Sequence, residues 1–167
     1  WILFLNANGT IREHVKIAEG LSGFAHDLDA EDGFGRKVAG IGDWDLDGVP
    51  DIAVGANRDD DGGSNRGAVY LLFLQRDGSV KSWVKLAHGV GLPFSLVNGD
   101  EFGRGIARLE DLDFDGVPEL AVGAIGDDDG CTSNGAVWIL FMRRDGSVKS
   151  QAKLSATSGG LQSPFVR

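Results

Sequence analysis

The stretch GDWDLDGVPDIAVGA, residues 42–56, sets Asp43, Asp45, Asp47 and Asp51 within nine residues and then turns abruptly apolar. Carboxylates this close repel one another unless a cation or water screens them, and their alternate spacing aims them at one centre. A metal ion is the expected occupant. The chain then repeats the pattern: EDLDFDGVPELAVGA, residues 110–124, carries Asp111, Asp113, Asp115 and Glu119 in the same register.

The repetition extends well beyond the loops. Residues 34–85 lie over residues 102–153 without a gap, and 31 of the 52 pairs are identical at a constant offset of 68. This is an internal repeat. A partial third copy opens the chain, where WILFLNANGTIREHVKIAEG matches YLLFLQRDGSVKSWVKLAHG from Tyr70.

Within a unit the apolar runs are short, rich in Val, Ile, Phe, Tyr and Trp, and separated by turn residues, which favours strands over helices. Four strands are expected per unit: A near residues 34–42, B near 50–56, C near 68–75 and D near 79–87. Asp77-Gly78 joins C to D, and its copies Asn8-Gly9 and Asp145-Gly146 are further dipeptides of tight hairpins. Tandem four-stranded antiparallel units predict an all-β fold made of β-propeller blades, about two and a half of them in this chain. The expected division is a C–D half blade with a linker at 1–33, one blade at 34–101, and a second at 102–167 with the start of the next linker in GGLQSPFVR. Unpaired strand edges at both ends predict either self-association or membership of a longer propeller.

Composition narrows the function classes. The 167 residues are 42% apolar, enough for a sizeable core, and no run is long enough to cross a membrane. A net charge of −9 without a basic stripe disfavours nucleic acid as a partner. The single cysteine, Cys131, permits no intrachain disulfide. His14, His26 and His88 fall outside any nucleophile or metal-ligand motif, and no phosphate-cradling GK[ST] is present, so the chain does not read as an enzyme.

The order FGR, D-x-D-x-DG-x-x-D, VGA and GAVY resembles the FG-GAP repeat of integrin α-subunit propellers and of many other surface proteins. Phe34-Gly35 and Phe102-Gly103 stand for FG, and Gly55-Ala56 and Gly123-Ala124 for the first two letters of GAP, with Asn57 and Ile125 in place of the Pro. The resemblance implies calcium in the loops joining strands A and B, two Ca²⁺ per chain, and an extracellular or cell-surface location.

Calcium takes six to eight oxygen ligands, and a short loop can supply them from positions 1, 3 and 5, a carbonyl at 7 and an acid beyond. The first loop then offers Asp43, Asp45, Asp47, the Val49 carbonyl and Asp51. The second offers Asp111, Asp113, Asp115, the Val117 carbonyl and Glu119, one methylene longer than its counterpart. Gly48 and Gly116 at position 6 allow the sharp turn. An EF-hand is excluded because position 12 is Val54 or Val122. Softer metals lack His and Cys ligands here.

At the opposite end of each blade, Asp59, Asp60 and Asp61, with Asp127, Asp128 and Asp129, either help to receive a ligand or cap solvated turns. Asp27, Asp29, Glu31 and Asp32 read as a solvated loop. Trp1, Tyr70 and Trp138 share one repeated position that suits packing between blades, and Trp44 is expected beneath its blade. The functional expectation is a calcium-binding, non-catalytic module for extracellular adhesion or protein recognition, with a protein or glycan as ligand. The alternatives are an architectural repeat that assembles into a surface polymer, a carbohydrate-binding module and, on fold analogy alone, a propeller enzyme.

Overall fold

The structure, a computed structural model, describes residues 1–129 and 134–160. Cys131 and most of the segment GGLQSPFVR lie outside the described residues. Among the described residues ten strands fall into three antiparallel sheets. β1 (Ile2–Leu5) and β2 (Ile11–Val15) form a two-stranded sheet. β3 (Lys37–Gly42), β4 (Asp51–Ala56), β5 (Ala68–Leu74) and β6 (Val80–Ala87) form blade 1 in that order. β7 (Phe102–Arg108), β8 (Leu120–Ala124), β9 (Ala136–Met142) and β10 (Val148–Leu154) form blade 2. The register repeats: Val54 faces Tyr70 in blade 1, and Val122 faces Trp138 in blade 2. Strand A of blade 1 starts at Lys37 rather than near Phe34, because residues 33–36 close a turn in which Arg36 N donates to Gly33 O at 3.0 Å.

Burial follows from stacking. All seven residues of β5 are buried, since both its faces meet a neighbouring sheet, whereas β9 buries mainly alternate residues. Val69, Leu71 and Phe73 join Leu120, Val122 and Leu140 of blade 2 in one core, while Tyr70, Leu72 and Leu74 join Phe24 and Ile2 in another. Sheets come close enough that a Cβ on Gly55 would lie 2.2 Å from the carbonyl oxygen of Gly103, so the small residue is required by backbone approach. Of the repeated aromatics, Tyr70 and Trp138 are packed, the latter stacked on Phe94 at 3.7 Å, while Trp1 is exposed.

Trp44 is the wedge between the blades. It is 1% exposed, its Nε1 donates to Arg143 O at 3.2 Å, and its own carbonyl accepts from Arg144 Nη1 at 3.2 Å. Its counterpart Leu112 is half exposed. Trp44→Ala should therefore cost about 3–5 kcal/mol in denaturant unfolding, against less than about 1 kcal/mol for Leu112→Ala. Equal losses for the two variants would contradict this packing.

Candidate metal centre

Each A–B loop is folded by its own carboxylates. In the first, Asp43 accepts from Asp47 N and Gly48 N, both at 3.0 Å, and Asp47 Oδ1 accepts from Val49 N at 2.9 Å. In the second, Asp111 accepts from Asp115 N at 3.1 Å and Gly116 N at 2.8 Å, and Asp115 Oδ1 accepts from Val117 N at 2.9 Å. Gly48 and Gly116 sit at φ 85° and 86°, as the turn requires. Leu46 and Phe114 are also left-handed, at φ 63° and 60°, and exposed. A bulky residue held there costs about 1–2 kcal/mol, so the loop is fixed by the carboxylate bonds rather than by local preference.

The loops bring together carboxylate oxygens of Asp111, Asp113, Asp115 and Glu119 within 4.8 Å of one another, and likewise those of Asp43, Asp45 and Asp51. Asp47 is not part of the first group; it is drawn to Lys81, which bridges Asp45 Oδ2 at 2.5 Å and Asp47 Oδ2. Lys149 repeats this bridge to Asp113 at 2.7 Å and Asp115 at 2.6 Å. The ammonium bonds hold Asp47 and Asp115 below the usual carboxylate range and push Lys149 up to about 12.

The innermost acid differs between the two loops. Asp51 is buried with both oxygens satisfied, by Trp44 N and Leu74 N at 2.9 Å each. Glu119 is fully buried, and among the described residues only Oε2 is bonded, to Leu112 N at 2.7 Å, while Oε1 has no partner. Burial raises the pKa of both acids. An orphaned buried acceptor beside three further carboxylates is an arrangement that a cation satisfies, and an all-oxygen donor set suits a hard cation such as Ca²⁺. The residues fit the ion that the loop spacing implies.

The opposite end of each blade is held by a second lysine. Lys85 Nζ lies 2.7 Å from Asp59 and 2.6 Å from Asp61, and Lys153 Nζ lies 2.7 Å from both Asp127 and Asp129. Burial opposes the charge on Lys85, yet the two carboxylates raise its pKa overall. Asp59 and Asp127 are buried, and Asp59 also accepts from Tyr70 Oη at 3.1 Å, so these two acids are structural rather than presented to solvent. Asp60 Oδ1 accepts from Asn65 N at 2.6 Å; Asp60 and Asp61 of the first triplet and Asp128 of the second are exposed.

Sequence reasoning overlooked all four lysines. Their signal was available, for Lys81 and Lys85 recur as Lys149 and Lys153 at the offset of the acids they pair with. The expectation of a solvated loop before Phe34 is corrected at Asp32. It is 6% exposed, accepts from Asp29 N at 3.0 Å, and has a counterpart in Asp100, which is 4% exposed and accepts from Val97 N at 2.8 Å.

Comparison with known proteins agrees with the geometry. Residues 24–73 and residues 102–140 each match an FG-GAP repeat family. The chain is a member of the FG-GAP repeat family. Among curated proteins it is similar to integrin alpha-IIb of Homo sapiens, 39% identical over 93 residues that make up 56% of this chain and 8% of that protein. Integrin alpha pat-2 of Caenorhabditis elegans is 36% identical over 91 residues, 54% of this chain and 7% of that protein. Integrin alpha-6 of Homo sapiens is 36% identical over 94 residues, 56% of this chain and 7% of that protein. The chain thus corresponds to a small part of these relatives.

Burial raises the Asp32 pKa to about 6, against the opposing bond from Asp29 N–H. A carboxyl whose folded pKa lies above its unfolded value stabilises the fold at low pH and loses that contribution as pH rises through about 6. Asp32→Asn should therefore be more stable than the parent at pH 7.5, by about 1–3 kcal/mol, with the difference gone below pH 4. Chemical denaturation at the two pH values checks this, and a variant destabilised at pH 7.5 would contradict it.

Proposed function

We propose that the chain is a calcium-binding, non-catalytic FG-GAP module that serves extracellular adhesion or protein recognition. The observation that carries the metal assignment is the unpartnered Glu119 Oε1, buried among Asp111, Asp113 and Asp115. A bound Ca²⁺ would supply the positive charge that offsets these carboxylates. The residues that would hold the ion are Asp111, Asp113, Asp115, the Val117 carbonyl and Glu119 in blade 2, and Asp43, Asp45, the Val49 carbonyl and Asp51 in blade 1, joined by Asp47 when it exchanges Lys81 for the cation. Lys81 and Lys149 partly neutralise the same acids. They compete with the cation, so affinity falls in the weak range of extracellular modules, roughly 10⁻⁴ to 10⁻³ M.

The adhesion reading is supported by the integrin alpha relatives and by family membership. Recognition of a protein partner is assigned to the end away from the metal loops, where Asp60, Asp61 and Asp128 are exposed. The A–B loops are committed to holding ions. An extracellular or cell-surface location is the reading that the same relatives support.

Millimolar calcium should raise the melting temperature by several degrees over a chelator control, through preferential binding to the folded state. Asp45→Ala should remove about half of that gain. Lys81→Met should tighten the first site by about 3- to 10-fold, because a competing charge is gone. An unchanged melting temperature in calcium, or a weaker first site in Lys81→Met, would count against the assignment.

A further inference from the structure

The hairpin between β1 and β2 carries a motif that its two copies lack. Asn8-Gly9-Thr10 is an Asn-x-Thr triplet with a middle residue other than proline, the pattern whose asparagine accepts an N-linked glycan in secreted proteins. Two residues after Asn6, Asn57, Asn65, Asn98 and Asn134 stand Asn8, Asp59, Gly67, Asp100 and Ala136, so the chain holds one such triplet. Its counterparts in blades 1 and 2 are Asp77-Gly78-Ser79 and Asp145-Gly146-Ser147, and all three fold as the same turn. Asp77 Oδ1 accepts from Ser79 N at 2.9 Å and from Ser79 Oγ at 2.6 Å, and Asp145 Oδ1 accepts from Ser147 N and Oγ at the same distances. Asn8 Oδ1 accepts from Thr10 N at 3.1 Å and from Thr10 Oγ1 at 2.7 Å. The turn needs only the side-chain oxygen, which Asp supplies as well as Asn. What asparagine adds is Nδ2, and that group makes no hydrogen bond among the described residues.

The tip stays accessible when a sheet is stacked beside it. Asn8, Gly9 and Thr10 are exposed. Asp77 and Asp145 hold the same position with a neighbouring sheet against their hairpins, where a Cβ on Gly78 would meet Phe4 at 3.1 Å and one on Gly146 would meet Val84 at 3.1 Å, and both aspartates are still exposed. A group carried on Asn8 Nδ2 therefore projects into solvent. The turn also closes on itself: Asn6 N donates to Thr10 O at 2.8 Å, Gly9 N to Asn6 O at 2.9 Å, and Asn6 Nδ2 to Thr10 Oγ1 at 2.9 Å. Every partner lies within residues 6–10, so the acceptor geometry draws on no other part of the fold.

We propose that Asn8 is the acceptor of an N-linked oligosaccharide. The inference rests on the extracellular reading above, because the donor, an oligosaccharide held on a lipid pyrophosphate, and the transferase that uses it meet chains entering the secretory route. Nδ2 attacks the anomeric carbon of the first sugar and supplies the electron pair of the new C–N bond. The C–O bond to phosphate breaks, its pair leaves with the lipid pyrophosphate, and the proton lost from Nδ2 passes to a base of the transferase. Two donors on Oδ1, the Thr10 hydroxyl among them, stabilise the negative charge that gathers on this oxygen as the proton departs. Ser79 and Ser147 make the same contacts to carboxylates, which have no nitrogen to take a sugar. The C–D hairpins lie beside the A–B loops, as the bond from Arg144 to Gly116 O shows, so a glycan at the equivalent end of β1 and β2 leaves the B–C end clear for a partner.

The test expresses the 167-residue chain behind a cleavable secretory leader in a glycosylating eukaryotic cell and reads the intact mass of the total chain, secreted and retained. One glycan is expected, removed by peptide N-glycosidase with conversion of the linked asparagine to aspartate. Asn8→Gln and, separately, Thr10→Ala should abolish it, while Thr10→Ser, which keeps the hydroxyl, should retain it. Unchanged melting of the variants establishes that they fold. A chain that carries no glycan, or one whose glycan survives Asn8→Gln or Thr10→Ala, overturns the proposal. The leader delivers the chain to the transferase wherever the native protein resides, so a missing glycan counts against Asn8 and leaves the adhesion reading to its own calcium tests.

Discussion

The structure depends on a turn whose carboxylates are bonded to its own backbone amides. Asp43 and Asp111 each gather two N–H groups from the far side of the loop, and Asp51 or Glu119 reaches back to the amide after the first aspartate. These bonds aim the remaining oxygens inward, where like charges within 4.8 Å of one another repel by about 3.5 kcal/mol or more per pair at an effective dielectric of roughly 20. That repulsion has to be offset. The lysine of strand D does so in part, and a divalent cation would do so more fully.

The same loop joins charge to packing. Trp44 occupies position 2 of the first acidic loop, so the bonds that set the carboxylates also set the indole that enters blade 2. The carboxylate arrangement and blade stacking are thereby coupled through one short segment: an ordered loop holds the wedge, and the wedge holds the loop. Asn57, standing where the family pattern has a proline, adds a second tie between units by donating to Glu101 at 2.8 Å.

Much of this was legible in the sequence because a repeat states each feature twice. Strand order, hairpin turns, loop acids and the position-6 glycines followed from period-2 runs and from identities at one offset. What escaped notice has a physical reason. Lys81 and Lys149 sit 34 or more residues from the acids they bridge, on a strand whose alternation reads as ordinary solvent-facing polarity. Asp32 looked solvated because it lies in an acidic run, yet neighbouring sheets bury it. The difference between Asp51 and Glu119 was visible as one methylene, but not its consequence. The Asp carboxylate meets Leu74 N, while the longer Glu leaves an oxygen without a donor.

The central claim is that two A–B loops each hold a calcium ion. Isothermal titration calorimetry of the metal-free chain with Ca²⁺ tests it most directly, because it counts the ions as well as detecting them. The account predicts two sites per chain, saturating at millimolar calcium, with only one left in Glu119→Ala. Absence of binding heat at millimolar calcium, or full stoichiometry in that variant, would contradict it.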